Sequence, residues 1–133
     1  MASIKSAISR FAKDESAAVT VEFVLWVPVF VLILAITVDA SVLFLTQANL
    51  WSIARDTTRQ MSAGIPKEDA LVNARARMAA SWSQDTTVVL STDADLAKAT
   101  FTVAIADVSP FNIVSAFTSG NIVVHIEQHL EPF

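Results

Sequence analysis

Glu22 is the single acid in an otherwise nearly unbroken apolar run over residues 17–38, near its front edge and behind a short leader that carries Lys5, Arg10 and Lys13. A charged side chain at mid-bilayer costs about 2.5–3.5 kcal/mol on the insertion scale, and less near the interface. A carboxylate kept at such a place is a functional candidate whose partner has to be sought; the plainer alternative is that Glu22 snorkels to the inner interface. Asp39, just past the run, belongs at the outer interface and is assigned no role. The remaining candidates lie near the C-terminus. His125, Glu127 and His129 alternate along an extended run and share one face, but at about 3.3 Å per residue the two histidines stand roughly 13 Å apart, too far for one metal ion. Their order also differs from the His-Glu-x-x-His of zinc proteases, so a solvated sheet face is the expectation. No serine sits in a nucleophile-elbow sequence, and two glycines, Gly64 and Gly120, cannot make a glycine-rich phosphate loop. No catalysis, cofactor, metal or small-molecule substrate is expected.

The elements that must position these residues follow from composition and period. Of the 133 residues 53 % are apolar, yet charges vanish between residues 23 and 38 and return on both sides, so the hydrophobicity is local. The Val, Ile, Leu and Phe residues of 23–38, at about −0.3 to −0.6 kcal/mol each, sum to roughly −4 to −7 kcal/mol, which outweighs Glu22 and favours insertion. After the basic leader no Lys or Arg appears before Arg55. The positive-inside rule therefore sets a single pass with the N-terminus cytoplasmic and the C-terminal domain outside. Beyond Asp39 acids outnumber bases and form no basic stripe, which argues against nucleic acid as a partner. Cysteine is absent, so the outer domain must hold by packing alone.

Helical character is expected from about residue 18 to 63, because no Gly interrupts it and Pro28 falls where membrane depth tolerates it. About 45 residues span on the order of 65 Å, more than twice a ~30 Å hydrocarbon core, so the half over 40–63 projects into water. There Leu43, Leu50, Ala54 and Met61, with Phe44, Ala48 and Trp51 alongside, make an apolar stripe that must pack on something. Gly64 stops this helix, and Pro66 opens another over 66–83 whose buried edge is Leu71, Ala74, Met78 and Trp82. Trp26 is expected to pack between helices. Strands are predicted at 86–92, 100–108 and 121–130, with Phe101, Val103 and Ile105, then Ile122, Val124, Ile126 and Leu130, facing inward. The fold class is α+β: a long helix covering an antiparallel sheet of about three strands, plus a second helix. The apolar loop 109–120, with Pro110, Phe111, Ile113, Val114 and Phe117, should fold back over the core, a contact surface being the alternative.

With leader, acid and helix in place, the segment FAKDESAAVTVEFVLWVPVF resembles the N-terminus of type IV prepilin-like proteins, most closely the TadE-like pseudopilins of tight-adherence (Flp-type) pilus systems. The layout carries the likeness: a short charged leader, small residues, then Glu-Phe entering an apolar helix that contains Pro. Arg55 and Arg59 followed by Gly64, and the closing Glu131-Pro132, extend it. The resemblance implies cleavage by a prepilin peptidase between Ala17 and Ala18, with Ala17 standing where the family usually has Gly. Glu22 is then the fifth mature residue and the assembly acid, with Phe23 its aromatic neighbour. It divides the chain into a leader (1–17), a transmembrane helix (18–39) and a periplasmic or extracellular domain (40–133). It implies a non-enzymatic minor component of an adhesive pilus, active in adhesion and biofilm. The implied partners are the inner membrane, prepilin peptidase, other pseudopilins, the major Flp pilin and the pilus assembly platform.

Cleavage would also create a positive α-amine at Ala18, four residues from Glu22. In a stack of staggered subunits one Glu22 can meet another subunit's N-terminus, which removes the desolvation penalty of both charges and fixes the stagger. A second reading takes residues 1–40 as a secretory signal, since Val38-Asp39-Ala40 fits the small-residue cleavage pattern, and leaves a soluble periplasmic binding domain. Against it, the apolar run exceeds the usual length of about 7–15 residues, contains an acid and resumes at Val42.

Overall fold

The computed structural model describes residues 15–80, 85–93 and 95–130, with side chains from Val19 onward. The leader up to residue 14, Trp82 and the closing Glu131-Pro132 lie outside the described residues. The chain divides into two compact units after Ile36. Among the described residues the fold is α+β, with a long apolar helix, a second helix and a three-stranded antiparallel sheet.

Helix α1 (Glu15–Ser62) contains Pro28 within it. In the first unit its large apolar side chains over residues 19–36 are all exposed, on every side of the helix. A helix that is apolar all round and left exposed suits lipid or neighbouring helices rather than water. It is the one described helix long and apolar enough to cross a membrane.

The second unit starts at Thr37. Here Leu50, Ile53, Ala54 and Met61 of α1 are buried in one cluster with Leu90, Ala97, Ala99, Phe101, Val103 and Val124 of the sheet. Phe44, Ala48 and Trp51, expected beside that stripe, instead stay exposed. Thr57 and Thr58 are buried among the apolar residues and donate their hydroxyls to the carbonyls of Ile53 (2.7 Å) and Ala54 (3.1 Å), so the helix satisfies its own polar stripe.

The end of α1 follows from Gly64, whose φ of 86° lies in the left-handed region open to glycine. Its N–H bonds Met61 O at 3.1 Å and the next N–H, of Ile65, reaches back to Gln60 O at 3.0 Å, the paired bonds of a Schellman stop. Helix α2 (Lys67–Ala79) follows at once, with Ala70, Ala74 and Met78 buried at intervals of four. Asn73 Nδ2 donates to Gln60 Oε1 at 3.0 Å, and Arg77 pairs with Asp56. Four residues forward on α2 matches four back on α1, so the two form an antiparallel hairpin.

The sheet comprises β1 (Thr87–Asp93), β2 (Leu96–Ala104) and β3 (Asn121–His129), in the order β1-β2-β3. Central β2 alternates buried and half-buried residues, with Ala97, Ala99, Phe101 and Val103 inward. It lies four residues earlier than the predicted 100–108. The stretch 96–99 holds Ala and Lys, weak strand formers, but it is paired on both sides, Ala97 with Thr92 and Gln128. The predicted strand end is instead helix α3 (Ile105–Val108), turned by the Ser109 N–H to Ile105 O bond at 3.1 Å. A five-residue helix, α4 (Ile113–Phe117), lies in the loop that follows.

Candidate functional site

Glu22 and Phe23 lie on α1 in the exposed apolar segment, and Phe23 is 67 % exposed. Ala17 and Ala18 have helical backbone, and their side chains lie outside the description. Trp26 stacks obliquely on Phe30 of its own helix, ring centroids 6.3 Å apart. The carboxylate is thus flanked along the helix by exposed apolar side chains.

Asp39 behaves differently. It is fully buried. Its Oδ1 accepts the N–H of Phe111 at 2.8 Å, and its Oδ2 accepts those of Ile113 at 2.8 Å and Val114 at 3.3 Å. Asn112 between them takes a left-handed φ of 55°, which Asn tolerates better than most residues and which turns three N–H groups toward one point. No side chain local to α4 caps it. Asp39 does so from α1, 72 residues away in sequence, as an N-cap side chain ordinarily would. Ser109 is buried beside them, its hydroxyl turned toward the carboxylate but short of full hydrogen-bond geometry.

Farther along α1, Thr58 Oγ1 meets Gln128 Oε1 of β3 at 3.5 Å. From Asp39 to Thr58 the helix rises about 28 Å, and from residue 121 to 128 the strand rises about 23 Å. Helix and strand therefore run in the same direction, with the loop pinned at the Asp39 end.

Residues 17–59 match the family described as TadE-like protein. The likeness covers 43 of the 133 residues, about a third of the chain. The match spans Glu22, Phe23 and Asp39 and stops short of the sheet. No curated protein and no solved structure matches the chain. The matched stretch holds the one described helix that is long and apolar enough to cross a membrane.

On the exposed face of the sheet, His125 uses both ring nitrogens locally: Nδ1 lies 2.8 Å from Thr100 Oγ1 and Nε2 3.0 Å from Glu127 Oε1. Lys98 Nζ stands 3.6 Å from the same Glu127 oxygen and 3.5 Å from Asp93. The His125 hydrogen bond first, then the Lys98 charge, hold the Glu127 carboxyl below its ordinary value of 4.5. These side chains satisfy one another as a solvated sheet face does. The residue that sequence reasoning missed is Asp39. The available signal was a lone acid one position past an apolar run paired with an uncharged, apolar loop, but nothing local links the two.

Proposed function

We propose that this chain is a TadE-like pseudopilin of an adhesive Flp-type pilus, matured by prepilin peptidase between Ala17 and Ala18 and set in register by Glu22. The observation that carries the reading is the place of Glu22 in an apolar helical segment with exposed side chains on every side. An unpaired acid there carries a desolvation cost that an opposite charge relieves. The α-amine freed at Ala18 of an adjoining subunit supplies that charge at the right depth, and a charge pair between staggered helices fixes one stagger among several that apolar packing alone would allow. The exposed edge of Phe44, Ala48 and Trp51 continues the same interface beyond the membrane, toward other pseudopilins or the major Flp pilin. The basic leader, with no Lys or Arg on the far side before Arg55, orients the chain with its N-terminus in the cytoplasm of an inner membrane.

The contacts of Asp39 weigh against the secretory alternative. A cut after Ala40 would remove the carboxylate that holds Phe111, Ile113 and Val114, and with it part of the outer unit's own packing.

Glu22→Gln tests the proposal, because it keeps size and removes charge. Membrane insertion should be retained while co-purification with pilus subunits falls at least severalfold. Unchanged incorporation of the Gln variant would remove the charge pair as the register device.

A further inference from the structure

The loop between β2 and β3 is built for a place with little water. Ile105 N–H bonds Gly120 O at 3.1 Å, closing its ends; Asp107 is its one charged residue, in the short helix that opens it, and residues 109–120 carry no charge. Most of its backbone donors up to Thr118 are satisfied within the protein, those of Ser115, Ser119 and Gly120 being left to other partners. Ser109 donates to Ile105 O, Pro110 has no N–H, Phe111 donates to Asp39, Asn112 to Ser109 O, and Ile113 and Val114 again to Asp39. Ala116 and Thr118 continue onto the carbonyls of Asn112 and Val114. A solvated loop can leave such donors to water, whereas one at a lipid surface has to bond them internally. Meanwhile its two aromatic side chains are turned out, Phe117 84 % exposed and Phe111 58 %, while Ile113 and Val114 are half-buried.

The position of the pin decides what the loop meets. Asp39 follows Val38, the last residue of the apolar run, so the carboxylate that holds the loop stands within one residue's rise, about 1.5 Å, of the end of that run. We propose that the 109–118 tip is a second membrane contact, seating Phe111 and Phe117 in the outer interfacial layer of the same bilayer that holds α1. Aromatic side chains are favoured at that depth, and an amphipathic loop seated there restrains how the outer unit can turn about its anchor. The buried, fully bonded carboxylate makes the attachment without placing an unpaired charge at the lipid surface. This inference rests on residues 19–38 being the membrane span.

The chain contains no cysteine, so single-cysteine variants can carry one spin label each in the full-length protein. Phe30→Cys, Phe117→Cys and Val89→Cys, the last at an exposed position on β1, are reconstituted in phosphatidylethanolamine and phosphatidylglycerol vesicles. Labels at 30 and 117 should both be reached by dissolved oxygen and shielded severalfold from a water-soluble nickel chelate, with the label at 89 showing the reverse. Adding Asp39→Asn should move the label at 117 toward the water signature and leave that at 30 unchanged. A lipid signature at 30 with a water signature at 117 overturns the loop contact while the span stands. Water exposure at both positions overturns the span and the loop contact together. Shielding at 117 that appears only after other pilus subunits are added assigns the loop to a protein partner instead.

Discussion

Replacing Asp39 by Ala removes the acceptor of three backbone donors at once and leaves the core apolar residues in place. Each buried N–H left without an acceptor costs about 1–3 kcal/mol. The donors of Phe111, Ile113 and Val114 are part-buried, and a loop closed at both ends can still shift enough to admit water, so the three together should cost nearer the price of one fully buried donor. For a domain of this size about 4–8 °C is lost per kcal/mol, which puts the fall in melting temperature on the order of 10 °C. Stability alone does not identify the mechanism, because most buried substitutions destabilise. Amide hydrogen exchange of the full-length chain in detergent micelles does. Protection should fall about tenfold or more at 111, 113 and 114, while the β2 amides paired on both sides lose far less. Asp39→Asn, which keeps one carbonyl acceptor, should give an intermediate effect. A uniform loss of protection across the sheet, or none at the loop, would refute the capping role.

Phe101→Ala should lower the stability of the outer unit by about 3–5 kcal/mol, since the ring is fully buried at the centre of β2, and denaturant unfolding of the detergent-solubilised protein measures it. Acid should weaken the Thr100, His125, Glu127 and Lys98 cluster. Because the Glu127 carboxyl is held below 4.5 in the folded state, its contribution is present above pH 4.5 and is lost as pH falls through the lower folded value. The melting temperatures of wild type and Glu127→Gln should therefore differ at neutral pH and converge below pH 4.5. Arg77→Ala should be nearly neutral, within about 0.5 kcal/mol, because both partners of the Arg77–Asp56 pair are close to half exposed; thermal melts of the two proteins check it.

The long helix was legible because its signals are local: no Gly before Gly64, one Pro at membrane depth, and a period of about 3.6 in Leu50, Ala54 and Met61. Burial of Phe101, Val103 and Val124, and exposure of His125, Glu127 and His129, were legible for the same reason, since alternation in a strand is written in adjacent residues. Two features were not. Helix α1 carries more apolar residues than one stripe holds, and which of Leu43, Phe44, Trp51 and Ile53 turn inward depends on where the sheet lies. Leu43 is half-buried and Ile53 buried, whereas Phe44 and Trp51 face outward. Likewise, Ala97 and Lys98 join a strand through neighbours on both sides rather than through their own propensity. The Asp39 cap is the extreme case, because its donors come from another element more than seventy residues away. At Glu22 the sequence shows an acid without a partner, and the single chain leaves that carboxylate on an exposed helix, as a group completed by a second molecule would be.

The claim that Glu22 works by meeting a new N-terminus is tested most directly by the N-terminal residue of this protein recovered from piliated cells, read by mass spectrometry of the intact chain and its N-terminal peptide. A chain beginning at Ala18 is expected, in membranes and in any assembled pilus fraction. A chain that still begins at Met1 in fully piliated cells would contradict it, and one beginning at Ser41 would establish the secreted domain in its place.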